Sequence, residues 1–245
     1  CGNTRKFYFK ALRAILNRAN AEGVGSAATY PFGRGGFEVS KLEEATAKRY
    51  LPAAELSKLK STTASNPQCE YARKLFLFSY YCYGISFIDM AMLTAAHIKQ
   101  MEDGDYIVYK RQKIKRQKGV KPISIKITPA IRQLIGSLQA ASPTVDDFLL
   151  PIVTRSGYTG ERLYMHIRTR YSKYQKYLRL LAEELGIDFH LTSYVSRHTA
   201  AMTLQRNHIP REVISQMLGH ADLETTNIYL DSFDNEVINE AAKVL

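Results

Sequence analysis

Apolar positions in this chain recur mostly at the three-to-four-residue spacing of helices, with one stretch of strict alternation. Phe7, Leu12, Ile15 and Leu16 form an apolar stripe opposed by Lys6, Lys10, Arg13 and Arg18, which predicts an opening helix ending near Gly23. Residues 23–38 are rich in Gly and Ser and contain Pro31, so they read as loop and linker. The domain boundary is expected near Ser40, and a helix begun by Pro52 follows Leu51. Residues 73–98 are strongly apolar and long enough for two packed core helices around Gly84. Alternation appears in residues 105–127, where Tyr106 and Val108, then Ile123, Ile125 and Ile127, flank a polar tip with Gly119. That pattern predicts a β-hairpin.

A helix is expected over residues 129–138 and mostly loop over 141–159. A long helix follows over residues 163–186, with Leu178, Leu181 and Leu185 on one side and Gly186 at its end. Thr192 and Ser193 are N-cap candidates for a helix that carries Tyr194, Arg197 and Ala201 on one face. Pro210 restarts the chain as a first helical residue. Val213, Ile214, Met217 and Leu218 supply the apolar face of that helix, and Gly219 suits a left-handed cap with His220 just beyond it. Asp222 can cap a third short helix carrying Tyr229, and residues 234–245 read as a short amphipathic helix. The fold class expected is mainly α with a small antiparallel β-sheet.

Charge changes the picture. With 34 Lys and Arg against 23 Asp and Glu the net charge is +11, which points to a polyanion partner without separating DNA from RNA or anionic lipid. Residues 105–127 carry eight of those cations against one acid, and Lys110, Arg111, Lys115 and Arg116 are expected to meet phosphates. On the long helix Arg168, Arg170, Lys173 and Lys176 interleave with Tyr171, Tyr174 and Tyr177, as suits a surface lying along DNA. The three cysteines, Cys1, Cys69 and Cys82, are odd in number and irregularly spaced. They argue against a disulfide framework or zinc site and for a reducing cytosol. No apolar run approaches the ~20 residues of a membrane span, and no signal-peptide pattern opens the chain.

Arg197, His220 and Tyr229 are demanded by no packing pattern. Together they suit phosphoryl transfer: a guanidinium fork matches non-bridging phosphate oxygens, an imidazole handles a proton, and a phenol stabilised by cations attacks phosphorus. The alternative from the same helices is a helix-turn-helix DNA reader. The segments SRHTAA (196–201) and MLGHADLETTNIY (217–229), with nine residues from His220 to Tyr229, resemble the C-terminal signature of tyrosine recombinases, the phage integrase family. Looser similarity runs through most of the chain and is nearest to integrases of mobile elements in Bacteroides-like bacteria.

That resemblance implies a catalytic domain over residues 40–245, preceded in 1–39 by the end of a helical DNA core-binding domain. It makes Arg197 the second clamp arginine, His220 the Gly-His histidine and Tyr229 the nucleophile that forms a 3′-phosphotyrosine. Tyr194 stands where the family has His or Lys. The general-acid lysine of the hairpin is Lys118 counted back from the second strand, or Lys113 counted forward from the first. The family's first clamp arginine has no counterpart: Ser86 fills its slot three residues before Asp89, Tyr83 fills the displaced position, and no arginine lies between Arg73 and Arg111.

The activity implied is site-specific DNA recombination or integration needing neither metal nor ATP nor another cofactor. It would act on double-stranded DNA in the bacterial cytoplasm, at the nucleoid, with no membrane partner and as a homo-oligomer assembled through the C-terminal helix. A type IB topoisomerase would use similar chemistry. A catalytically impaired, non-catalytic DNA-binding relative is the rival reading, raised by Tyr83 and Ser86.

Overall fold

A computed structural model describes residues 2–33, 35–44, 50–220, 226 and 230. The chain divides into two compact units, Cys1–Ala47 and Lys48–Leu245. In the first unit, α1 (Gly2–Ala21) is the expected opening helix, and Phe7, Tyr8 and Ile15 on it are exposed. Residues 23–38 are not an open linker. Phe32 is buried and bridges Phe37, whose ring centroid lies 4.7 Å from that of Phe9 on α1. Residues 39–44 stay with α1 as well: Val39 is buried, and Asn3 and Glu44 exchange hydrogen bonds of 2.7 and 3.2 Å. The division after Ala47 therefore lies beyond the boundary expected near Ser40.

The second unit is organised around α3 (Pro67–Tyr81). Asn66 caps it, its side chain accepting from the N–H groups of Gln68 (2.8 Å) and Cys69 (3.3 Å), and Pro67 starts it with a φ already helical. This start lies six residues ahead of the apolar run that signals the helix. Leu75, Phe76 and Phe78 are fully buried, each burial stabilising the fold by roughly 1.5–3 kcal/mol. A helix apolar on most sides belongs in the middle, and α3 packs against three others: α5 (Pro129–Ala141), α6 (Gly160–Glu184) and α7 (Ser193–Arg206). Leu178 and Leu181 of α6 enter the same core, and α2 (Ala53–Ser61) adds Leu56 and Leu59. After α3 the chain turns at Gly84 into the short α4 (Phe87–Ala91), whose N-cap is Ser86.

The sheet has three antiparallel strands in the order β1 (Ile98–Met101), β2 (Gly104–Tyr109) and β3 (Ile123–Lys126). Only β2 and β3 were predicted. Ile107 pairs with Ile125 and Tyr109 with Ile123, and all four are buried. The core face of β2 is thus Ile107 and Tyr109, one residue out of step with the expected Tyr106 and Val108. Apolar or aromatic side chains fill all four positions, so alternation alone did not pick the face.

Tyr174, expected on the DNA-facing surface of α6, is buried and stacks on Phe87 at 5.1 Å. Tyr171 is half-buried and meets the Ser193 hydroxyl at 3.1 Å. These tyrosines fasten α6 to α4 and α7. Pro210 is the N-cap of α8 (Arg211–Leu218) rather than its first residue, and Val213 is 44% exposed while Ile214 and Leu218 are fully buried. No helix of the described residues is long and apolar enough to cross a membrane. The helix expected to begin at Asp222, Tyr229 and the C-terminal helix over 234–245 lie outside the described residues.

Candidate active site

Thr192 is the N-cap of α7, and one turn into that helix Arg197 is only 5% exposed. A buried guanidinium must find acceptors. Arg197 donates from Nη1 to the Gly84 carbonyl (3.0 Å) and from Nη2 to the Leu218 carbonyl (2.5 Å), and Nη2 also lies 2.9 Å from His220 Nε2. Gly84 has φ 70°, and a Cβ there would land on the Cα of Arg197, so this turn accepts glycine alone. Gly219 closes α8 in the left-handed conformation (φ 63°, ψ 43°) and delivers His220 to Arg197.

The His220 ring has a defined proton arrangement. A guanidinium only donates, so Nε2 accepts from Arg197 and the proton of the neutral ring sits on Nδ1, 2.7 Å from the Thr226 hydroxyl. Leu218 and Gly219 carbonyls form the negative end of α8, where cations are favoured. Arg197 takes the first, and Arg111 Nη1 donates to the second at 3.1 Å.

Beside this pair opens a cavity of about 400 Å³ between α4, α6, α7 and the chain after β2. Among the described residues, Arg111, Lys113, Arg168 and Arg197 line it, against one acid, Asp89. That carboxylate is already engaged: Oδ2 accepts from the Ser86 hydroxyl (2.6 Å) and Oδ1 from the Gln112 N–H (2.7 Å). The cavity therefore presents net positive charge to whatever enters. The phenol of Tyr109 is held above its ordinary pKa by burial and by Asp89, with Arg197 and Arg111 opposing, and it stays protonated at neutral pH.

The residues expected from sequence divide clearly. Arg197 and His220 are in contact, and Lys113 and Tyr194 line the same cavity, Tyr194 at 54% exposure. Lys118 is exposed at the hairpin tip and does not line it. Lys110, Lys115 and Arg116 are exposed. Arg168 lines the cavity from α6, whereas Arg170 is half-buried over the Tyr71 ring at 5.9 Å and Lys173 is exposed. Arg111, expected as one phosphate-binding cation among several, is half-buried and bonded to the end of α8. Sequence reasoning missed two supports, the tie from Asp89 to Gln112 and the Thr226 partner of His220. Their only sequence signals were an acid after the α3–α4 turn and a threonine six residues beyond the histidine.

Comparison with known proteins matches the phage integrase family over residues 49–236, more than half of the chain. Tyrosine recombinase XerD of Halalkalibacterium halodurans is 43% identical over 54 residues, 22% of this chain and 18% of that protein. Tyrosine recombinase XerC of Rhodospirillum centenum is 31% identical over 114 residues, 46% of this chain and 31% of that one. The chain thus matches about a third or less of the length of these curated relatives. Among solved structures, the Tn1549 transposon integrase in complex with a circular intermediate DNA aligns with a TM-score of 0.62 at 13% identity, over 99% of this chain and 78% of that one. A lambda integrase dimer bound to a COC′ core site aligns at 0.60 with 15% identity, over 95% and 76%. Both share the fold.

Proposed function

The chain belongs to the phage integrase family, and from that premise we propose that it cuts and rejoins double-stranded DNA at specific sites through a covalent tyrosine link. The observation that carries this reading is the Arg197–His220 pair, moored to the Gly84 and Leu218 carbonyls at the edge of a cavity with four cations. A phosphodiester gains negative charge on its non-bridging oxygens as it is attacked, and donors already in place stabilise that charge without reorganising. Tyr229 Oη attacks the scissile phosphorus and releases its proton to solvent, while Arg197, steadied by His220, stabilises the charge that develops on the phosphate. The P–O5′ bond breaks, and Lys113 gives a proton to the departing O5′. The product is a 3′-phosphotyrosine and a free 5′-hydroxyl; attack by a 5′-hydroxyl of another strand reverses the step and regenerates Tyr229. One phosphodiester is exchanged for another, so the bond energy is conserved.

Lys113 takes the general-acid role over Lys118 because it lines the cavity. Tyr194, at the cavity rim, donates its hydroxyl to the phosphate. The unit up to Ala47 is the end of a core-binding domain and the unit from Lys48 the catalytic domain, and Lys110, Lys115, Arg116, Arg168, Arg170 and Lys173 meet DNA phosphates. The looser resemblance to integrases of mobile elements in Bacteroides-like bacteria is the ground for reading it as one of them, acting at the nucleoid and assembled on DNA as a homo-oligomer through its C-terminal helix.

The test is a nicked suicide substrate carrying the ends of the element that encodes the protein. A protein–DNA adduct that resists denaturant, and disappears in Tyr229→Phe, is the expected result. Tight binding with no adduct would replace this reading with a DNA-binding module.

A further inference from the structure

We propose that Arg111, from the hairpin that follows β2, supplies the second guanidinium of the phosphate clamp that the α3–α4 junction lacks; this rests on the recombinase reading above. At that junction Ser86 directs its hydroxyl to Asp89 (2.6 Å), and Tyr83 does not line the cavity. Arg111 does line it, as Arg197 does. The two guanidiniums are moored to consecutive carbonyls at the end of α8, Arg197 to Leu218 (2.5 Å) and Arg111 to Gly219 (3.1 Å), immediately before His220. One helix end therefore sets the position of both forks and of the imidazole.

Three features show that Arg111 is held there. Asp89, which is 3% exposed, fixes the backbone N–H of the next residue, Gln112, at 2.7 Å. Gly219 is the second position where glycine is required: its φ is 63°, and a Cβ would run into Ile123 and stand 3.3 Å from Arg111 Cδ. Lastly, the partner of Arg111 among the described residues is a neutral carbonyl. Arg73 faces Glu70 (2.7 Å) and Arg132 faces Asp105 (2.7 Å), ion pairs in which a carboxylate offsets the guanidinium charge. Arg111 keeps its full charge, in fixed geometry, beside the phosphate site. Arg168 also lines the cavity, but it is exposed on α6 and its guanidinium has no mooring among the described residues.

The experiment compares the parent protein with Arg111→Ala and Arg168→Ala on the nicked substrate at matched DNA occupancy. Arg111→Ala is expected to form the Tyr229 adduct roughly 10²–10³-fold more slowly, the range for losing one preorganised donor. Arg168→Ala is expected to lose DNA affinity and, at matched occupancy, to lose less cleavage than Arg111→Ala, since its guanidinium has no fixed position in the cavity. On DNA whose scissile phosphate is a methylphosphonate, one charge is already absent, so the Arg111→Ala deficit is expected to shrink. A merely structural arginine would leave that deficit unchanged. Parent-like cleavage by Arg111→Ala overturns the proposal and leaves the recombinase reading standing, as does an undiminished deficit on methylphosphonate DNA. A deficit that falls on Arg168→Ala instead also overturns it. If the parent itself forms no Tyr229-dependent adduct, the recombinase reading fails first, and the clamp proposal with it.

Discussion

The base and the tip of one hairpin loop carry the same residue types and hold them differently. At the base, Arg111 is bonded to the Gly219 carbonyl, Asp89 grips the Gln112 N–H, and Lys113, though exposed, lines the cavity. At the tip, Lys115, Arg116 and Lys118 are exposed ahead of the turn at Gly119 (φ 76°). Fixed donors stabilise charge where it develops and need no rearrangement during the reaction. Exposed cations on a surface contribute to affinity and to its salt dependence, without aiming at one atom. Cation count along the sequence does not separate these two uses; the bonds made by neighbouring backbone and carboxylate do.

Lys113→Ala and Lys118→Ala make the sharpest break between base and tip. Removing a general acid costs about 10²–10⁴-fold, so Lys113→Ala is expected to slow adduct formation by that factor while Lys118→Ala stays near the parent. A substrate with sulfur at the bridging 5′ position, whose thiolate leaves without a proton, is expected to restore Lys113→Ala. Reversed phenotypes for the two lysines would move the acid to the tip and dissolve the distinction.

Arg197→Ala comes next in size. It removes a preorganised donor, worth roughly 10²–10³-fold in cleavage. It also strips the buried carbonyls of Gly84 and Leu218 of a donor, at about 1–3 kcal/mol for an unsatisfied buried group. Adduct rate and urea midpoint should both fall. A cleavage defect at unchanged stability would show that the mooring contributes nothing to the fold.

Much of this site was legible from local rules. The Gly219 cap, the helix carrying Arg197 and the placement of His220 follow from residue types within a few positions of each other. What was not legible is non-local. Arg111 meets Gly219 from 108 residues away, and Gln112 meets Asp89 from 23. Lys113 and Lys118 share the repeated Arg-Gln-Lys, so spacing alone left both open. The edge strand β1 (Ile98–Met101) has no alternation to announce it, since only Ile98 is even half-buried. Tyr174 reads as surface beside its basic neighbours, and only the ring of Phe87, from another helix, shows it to be core.

Asp89→Asn probes the link between the two regions more gently. The amide keeps the shape of the carboxylate but offers one acceptor oxygen where two are in use, toward Ser86 and Gln112. Losing one buried hydrogen bond of this kind costs about 1–3 kcal/mol. A lower melting temperature is expected, together with slower adduct formation that follows the Arg111→Ala defect without adding to it in the double variant. Full additivity would mean that Asp89 does not act by placing Arg111.

The smallest effects belong to the tip, and they appear in binding rather than in chemistry. Lys115→Ala and Arg116→Ala each remove a cation that has no role in fixing the cavity. Every phosphate left unneutralised should lower the slope of log affinity against log salt by about 0.9, while the cleavage rate on saturated DNA stays unchanged. Arg111→Ala should lower the slope by a similar amount but, unlike the tip variants, should also slow cleavage at saturation, because its fork is fixed at the end of α8. If the tip variants slow cleavage on saturated DNA, the loop must order itself onto the scissile phosphate when DNA binds. Base and tip would then be a single functional element, and the exposed cations of the free protein would have to be counted with the clamp.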